Sequence, residues 1–208
     1  ARHFVASGLN PQQTFIDLLD ASFVSADWRD RAERFRYNLL APLFGVYAHL
    51  DERPVYEAEK SYPHVKDGFM VIMGLDDATQ FDAIVDHHER GSIPPSTMWG
   101  SCPTRFDPSQ APAGYHTAFM WEKLPYALGG DAKNWDTAAR AHGEQMIDVW
   151  AEHAPNVREA VLETFVRSPL DVERTLPNMR YGDLLVGSLG HGQVGYNRPF
   201  AGAGHYRT

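Results

Sequence analysis

Two stretches of this chain carry residues whose types and spacing could serve chemistry. The first is GYHTAFMWEKLPY, residues 114–126, which reads as a strand. Successive side chains of a strand point to opposite faces, so one face carries Tyr115, Thr117, Phe119 and Trp121. The other face carries His116, Ala118 and Met120. An aromatic face suits an apolar or aromatic ligand, and packing against a helix layer is the alternative interpretation.

The second stretch is GHGQVG, residues 190–195, which fits the pattern G-x-G-x-x-G. A dinucleotide-binding loop needs a strand before it, a helix that starts inside it and an acidic residue about twenty positions later. Here YNRPFAGAGHYRT follows, without helical periodicity. The sequence therefore disfavours a nucleotide loop. Two interpretations stay open: glycines that permit positive φ, or a loop that passes close to a flat ligand.

Other reactive residues lack the partners that their chemistry requires. His87 and His88 are adjacent and so diverge on a helix, and no H-x-x-x-H pattern is present, which predicts no metal site. Cys102 precedes a proline and reads as a small core residue. His142 and His153 read as structural. Serine-hydrolase chemistry lacks its G-x-S-x-G signature.

Composition narrows the class of protein. The 208 residues include 19 Lys and Arg against 27 Asp and Glu, a formal charge of −8, and no basic cluster. A nucleic-acid groove and an anionic membrane surface are disfavoured, because both need a dense basic face. The single cysteine fits a reducing compartment, so we expect a cytoplasmic protein. No apolar run is long enough to cross a bilayer.

The elements that must position these residues mix strands and helices without a regular alternation. We predict strands over residues 3–8, 42–50, 68–75, 96–107, 114–126 and 163–168. We predict helices over residues 11–19, 25–38, 76–91, 134–154 and 169–176. In the longest helix, the predicted inner face comprises Ala138, Ala141, Gln145, Ile147, Val149 and Trp150. The pattern is typical of an α+β fold, a mixed sheet covered by helices.

Several segments, taken in order, resemble the phytoene desaturase-like family of flavin-dependent oxidoreductases, which includes carotenoid desaturases and ketolases. These segments are HFVASGLNPQQTFIDLL, IPPSTMWGSCPTRFDPSQAPAGYHTAFMWEKLPYAL, WDTAARAHGEQMIDVWAEHAPNVREAVLETFVRSPLDVERTL and GDLLVGSLGHGQVGYNRPFAGAGHYRT. They cover nearly the whole chain. The family's own FAD fingerprint has no counterpart here, and family members are much longer. The resemblance, and a first residue that is Ala1 and not Met, lead us to expect part of a larger enzyme.

The resemblance implies FAD as cofactor in the complete enzyme, and a substrate-binding domain over residues 1–176, whose first residues border the flavin domain. Residues 177–208 would lead back to that flavin domain. It also implies that the glycine loop lies near flavin and substrate, with Gly190 and Gly192 close to the cofactor. His191 and Tyr196 are then candidate catalytic residues, because a histidine exchanges protons near neutral pH. Arg198 would pair with a substrate carboxylate or a flavin phosphate, or else hold the loop.

The leading hypothesis is thus the substrate-domain part of an FAD-dependent dehydrogenase or desaturase. Its substrate would be an apolar or aromatic small molecule, bound by Tyr115, Thr117, Phe119, Trp121 and Arg198. We expect the isolated chain to be inactive and to retain no FAD. The partner would be the flavin-binding portion of the same enzyme or of another subunit. The alternative is a non-catalytic ligand-binding or interaction module on the same scaffold. The substrate, the electron acceptor and the oligomeric state stay open.

Overall fold

A computed structural model describes residues 5–190 and 192–203. By its internal contacts the chain divides into two units. The sheet unit comprises Leu43–Leu170. The second unit comprises Ala1–Pro42 together with Asp171–Thr208.

The sheet unit is built on five strands in the order β2-β3-β4-β1-β5. The strands are β1 (Leu43–Leu50), β2 (Val71–Met73), β3 (Met98–Ser101), β4 (His116–Lys123) and β5 (Val161–Arg167). All four pairings are antiparallel. The predicted α+β class is confirmed, and the strand directions, which the sequence left as a mixed sheet, are antiparallel.

The described residues of the two units include five α-helices. They are α1 (Ala26–Glu33), α2 (Gln80–Arg90), α3 (Trp135–His153), α4 (Val157–Ala160) and α5 (Pro169–Thr175). Two ends follow from local chemistry. The Ser25 hydroxyl accepts a hydrogen bond from the amide of Trp28 and caps α1. Gly91 takes a left-handed φ of 66° and ends α2, as the sequence predicted.

Helix α3 packs against one face of the sheet, which we call the helix-covered face. A buried core joins the two, and its strand residues include Val46 and Met120. The approach is close at Gly143, where a Cβ atom would come within 2.3 Å of a Val166 methyl. Only a residue without a side chain lets the helix lie this near to β5.

Three expectations about the elements are wrong. Residues 5–8 form no strand, and residues 3 and 4 lie outside the described part of the chain. The predicted buried strand over 68–75 is only the three-residue edge strand β2, in which Ile72 is 65% exposed. The predicted inner face of α3 is correct for Ile147 and Trp150, which are buried, and for Ala138 and Val149, which pack partly buried against the core, whereas Ala141 and Gln145 are exposed. The other buried residues of that helix are Trp135, Ala139, His142, Gly143 and Met146.

The second unit is organised by a buried carboxylate. Asp183 is fully buried and accepts hydrogen bonds from the backbone amides of Asn38, Leu185 and Gly187. A small apolar cluster of Ala32, Phe200 and Ala203 lies in the same unit. Among the residues that the structure describes, no helix has the length and apolar character needed to cross a membrane.

Candidate functional site

The face of the sheet opposite α3 carries an array of aromatic side chains. Within β4 the predicted alternation is confirmed, because Ala118, Met120 and Glu122 are buried while the residues between them are partly exposed. We call this side the aromatic face. It comprises Tyr47 of β1, Trp99 of β3, Phe119 and Trp121 of β4 and Phe165 of β5.

Strand register brings these rings together in rows across the sheet. Trp99 pairs directly with Trp121, with ring centroids 6.4 Å apart. In the next row, Tyr47 lies between Phe119 and Phe165, at centroid distances of 6.5 and 6.1 Å. The longest helix of the sheet unit, α3, packs on the opposite side, and Phe165 is 61% exposed. Helix α3 is therefore not the layer against which the β4 aromatics pack.

The position of the Tyr47 ring depends on a glycine. A Cβ atom at Gly45 would lie 2.9 Å from the ring of Tyr47 and 3.1 Å from that of Trp121. With no side chain there, the tyrosine lies over its own strand and its hydroxyl accepts a hydrogen bond from the Trp121 indole, 3.2 Å away. Side-chain contacts thus hold the Tyr47 and Trp121 rings of the aromatic face in fixed positions.

A cavity of about 300 Å³ opens on this face. Its floor is formed by β1 and β4, and its wall by the segment that joins β3 to β4. The lining residues are Tyr47, Ala48, His49, Pro103, Gln110, Thr117, Ala118 and Phe119. The volume lies at the small end of the range for ligand pockets. The cavity therefore fits a small molecule whose apolar part lies against Tyr47 and Phe119.

The cavity wall is held by short-range hydrogen bonds. The Asp107 carboxylate accepts hydrogen bonds from Ser109 and from the Gln110 amide, and these bonds lower the pKa of Asp107. At the base of the wall, the Thr104 hydroxyl lies 3.0 Å from the His116 ring. Gln110 is thereby fixed at the cavity, although nothing in its own spacing marked it as a site residue.

One end of the cavity is polar. In the row beyond Tyr47, strand register places Thr117, His49 and Glu163 side by side on β4, β1 and β5. The His49 Nδ1 lies 3.8 Å from a Glu163 carboxylate oxygen, and both side chains are largely exposed. Sequence reasoning found Thr117 but missed His49, because only the pairing of β1 with β4 brings His49 to the aromatic residues.

A second polar pair lies on the helix-covered face. His142 Nε2 of α3 lies 2.7 Å from a carboxylate oxygen of Glu122, and both side chains are almost fully buried. The His142 ring also contacts Phe44 edge-on. The remaining Glu122 Oε1 and His142 Nδ1 atoms are buried without a hydrogen-bond partner. This pair is separated from the cavity by the sheet, so we assign it to the core.

The residues predicted in the glycine loop belong to the second unit. His191 lies outside the described residues, and Tyr196 is 93% exposed. Gly192 has a φ of 69°, and a Cβ atom there would meet nothing within 4 Å. At Gly190 the nearest atom to such a Cβ is the Ser188 hydroxyl, 3.6 Å away. The positive φ of Gly192 agrees with the interpretation that a glycine is needed there for its backbone conformation.

Arg198 holds this segment together. Its guanidinium donates hydrogen bonds to the backbone carbonyls of Leu185, Val186, Gly187 and Gln193. These contacts agree with the interpretation in which Arg198 holds the loop. Of the β4 set, Thr117 and Phe119 line the cavity and Trp121 adjoins it through Tyr47. Tyr115 lies in the turn before β4 and is half-exposed.

The remaining reactive side chains form no metal or nucleophile site in the part of the chain that the structure describes. No group of three or more His, Cys, Asp or Glu residues there is arranged to hold a metal ion. His87 Nδ1 lies 2.9 Å from the Ser92 hydroxyl at the end of α2. Cys102 is partly buried beside Thr104, and its burial raises the pKa of the thiol. A raised pKa keeps the thiol protonated and poorly nucleophilic.

Curated proteins show distant sequence similarity to this chain, and no protein-family model matches it. A limonene dehydrogenase subunit of Castellaniella defragrans is 28% identical over 76% of this chain and 29% of its own length. Pyridine nucleotide-disulfide oxidoreductase domain-containing protein 2 of Rattus norvegicus is 22% identical over 98% of this chain and 36% of its own length. The chain thus spans about a third of the length of these relatives. Both similarities point to oxidoreductases, and the phytoene desaturase-like assignment stays a prediction.

Proposed function

We propose that this chain is the substrate-binding part of an FAD-dependent oxidoreductase of the dehydrogenase or desaturase type. Its substrate would be an apolar or aromatic small molecule. The observation that carries the proposal is the aromatic face with its cavity of about 300 Å³, on the side of the sheet opposite α3. The distant similarity to two proteins named as oxidoreductases supports the redox class.

Physical chemistry favours a ligand on the aromatic face. Covering Phe165 and the rings beside it with an apolar molecule removes their surface from water, at about 25 cal/mol per Å². The rings already hold fixed positions through Gly45 and the Trp121–Tyr47 hydrogen bond, so little side-chain entropy is lost when a ligand binds. Such a face would orient a substrate and exclude water from it.

In this proposal a bound flavin supplies the hydride acceptance, which no amino-acid side chain provides. Thr117, Phe119 and Trp121 contact the substrate, with Tyr115 at the edge of the face. Gly190 and Gly192 would lie close to the cofactor, and His191 and Tyr196 stay candidate proton-exchanging residues. Residues 1–176 would form the substrate domain and residues 177–208 would lead to the flavin-binding portion. We extend the proposal to a cytoplasmic location, on the evidence of the single cysteine.

The redox half of the proposal is tested on the native protein. We expect protein tagged at its chromosomal gene and purified without denaturation to show the visible absorption of a flavin, either in its own polypeptide or in a tightly associated partner. A native preparation free of flavin in every associated polypeptide would overturn the redox assignment and favour a non-catalytic module.

The binding half is tested on the 208-residue chain by titration with indane and 1-indanone, followed by ¹H–¹⁵N correlation spectra. We expect amide shifts concentrated in β1, β4 and residues 103–110. Phe119→Ala removes a floor ring and should weaken binding about ten-fold, which corresponds to about 1.4 kcal/mol. Phe81→Ala, a change to an exposed aromatic of α2 that does not line the cavity, is the matched control. Failure of both probes to bind, or equal effects of the two variants, would contradict this role.

A second candidate is one subunit of a split flavoenzyme, with the flavin carried by another polypeptide. The observation that favours it is the word "subunit" in the name of one relative. The same native purification distinguishes the two arrangements. A flavin held by a separate polypeptide at fixed stoichiometry supports the split enzyme, whereas a flavin in the tagged polypeptide supports a single chain.

A further inference from the structure

The cavity on the aromatic face is polar at one end only. Its floor is apolar where Tyr47 and Phe119 lie side by side. The Tyr47 hydroxyl already accepts a hydrogen bond from Trp121, in the direction away from the polar end. The polar side chains that line the cavity otherwise are His49, Gln110 and Thr117.

Among these, His49 has the most freedom to bind a ligand. Gln110 already donates its amide to Asp107. The His49 side chain is 67% exposed, and the Glu163 oxygen beside it is 3.8 Å away, which is beyond hydrogen-bonding distance. An imidazole offers one donor and one acceptor in its neutral form and two donors when protonated. His49 can therefore donate to an oxygen atom of a ligand whose apolar body lies over Tyr47 and Phe119.

Glu163 limits the charge of that ligand. Its carboxylate lies directly across from His49 in the strand register, so an anionic group that approached His49 would also approach Glu163. Like charges at such short range repel one another. A pure hydrocarbon is disfavoured for a different reason, because it would remove water from His49 and Thr117 without replacing the lost hydrogen bonds.

Resting on the proposed function of this face, we propose that the cavity selects an apolar or aromatic molecule with one neutral oxygen, a hydroxyl or a carbonyl. His49 is the residue that recognises this oxygen, and Thr117 adds a second hydrogen-bonding group beside it. Glu163 discriminates against carboxylates. The substrate class is thus narrowed to alcohols, phenols, ketones or aldehydes of small apolar compounds.

The test uses four probes with one carbon frame: indane, 1-indanol, 1-indanone and indane-1-carboxylate. Each is titrated into the 208-residue chain and followed by ¹H–¹⁵N correlation spectra. We expect 1-indanol and 1-indanone to bind about 3- to 10-fold more tightly than indane, the range that one net hydrogen bond provides. Indane-1-carboxylate should bind less tightly than 1-indanol, and Glu163→Gln should narrow that gap.

Variants of His49 separate recognition from simple packing. His49→Leu should remove most of the preference for 1-indanol over indane and leave only the part that Thr117 provides, whereas His49→Gln, which keeps a donor, should preserve more of it. His64→Leu is the matched control, since this histidine is 97% exposed and lies outside the cavity. If the preference for the oxygenated probes is undiminished in His49→Leu, His49 does not recognise the oxygen.

Two further outcomes would contradict different parts of the proposal. Equal binding of indane and 1-indanol to the wild-type chain would overturn the oxygen preference while leaving the aromatic face as a ligand site. Failure of all four probes to shift any resonance of β1 or β4 would overturn both this inference and the binding role on which it rests.

Discussion

The indole nitrogen of Trp121 donates a hydrogen bond to the Tyr47 hydroxyl across 3.2 Å, between neighbouring antiparallel strands. Trp121 pairs with Gly45 and not with Tyr47, so the contact runs diagonally over the glycine. The absence of a side chain at that position is what allows the two rings to meet. A fixed tyrosine in turn forms the floor of the cavity.

The first prediction concerns this glycine. Gly45→Ala would place a methyl 2.9 Å from the Tyr47 ring, so the ring must move and the hydrogen bond with Trp121 must break. We expect a loss of about 1–2 kcal/mol in the free energy of unfolding by urea titration. We also expect at least about five-fold weaker binding of 1-indanone, corresponding to about 1 kcal/mol. Tyr47→Phe, which removes only the hydroxyl, should lose less stability. If Gly45→Ala is as stable as the wild type, a Cβ atom at this position does not displace the Tyr47 ring.

The second prediction concerns the contact between α3 and β5. Gly143→Ala would drive a methyl to within 2.3 Å of Val166, and we expect it to destabilise the chain by about 1–3 kcal/mol despite the better helix propensity of alanine. Val166→Ala in the same chain makes room for the new methyl. The loss of unfolding free energy in the double variant should therefore be about 1 kcal/mol smaller than the sum of the losses in the two single variants. Strict additivity in thermal or urea unfolding would refute the close approach.

The third prediction concerns the buried Glu122–His142 pair. His142→Leu leaves a carboxylate in the core without its partner, so we expect a loss of about 3 kcal/mol in unfolding free energy. Adding Glu122→Met removes the unpaired carboxylate and should recover most of the lost stability, because a well-packed apolar pair commonly replaces a buried ionic one. A double variant that is less stable than His142→Leu would contradict this expectation. It would show that an apolar pair cannot replace Glu122 and His142 in the core.

The fourth prediction is a pH dependence. The Arg53 guanidinium makes two hydrogen bonds to the Glu59 carboxylate, at 2.8 and 2.9 Å, and holds the pKa of Glu59 below its ordinary value of 4.5. The folded state thus favours the ionised form. The resulting stability is complete above the ordinary pKa and is lost as the pH falls through the lowered pKa.

Glu59→Gln should therefore cost about 1 kcal/mol at pH 7, since the pair is partly exposed. This cost should shrink as the pH is lowered through the acidic range, which urea titrations at several pH values would detect. Glu57→Gln is the control, because Glu57 lies on the same turn but contacts the exposed Lys60. A cost that stays constant with pH would argue against an ionised Glu59 as the source of the stability.

Local patterns predicted much of the fold. The alternation in β4 correctly separated the core residues from the aromatic residues, because strand geometry alone fixes which side chains share a face. The stop of α2 at Gly91 followed from its tolerance of positive φ. The extent of α3 followed from its sequence, but its inner face did so only in part. The predicted inner face omitted His142, because a polar side chain is expected on the solvent side of a helix. Only the pairing of His142 with Glu122 of β4 makes its burial tolerable.

The sequence by itself determined the α+β class and the aromatic face of β4, because both depend on the pattern of neighbouring residues. The tertiary structure decided which strands lie beside β4, and so brought Tyr47, His49 and Glu163 to that face. It also decided that α3 covers the opposite side, which leaves the aromatic residues facing a cavity. Residues about 70 positions apart meet there through strand pairing, as Tyr47 and Trp121 do at a separation of 74 residues. No pattern of sequence neighbours encodes such a contact, because it arises from the hydrogen-bonding register between strands.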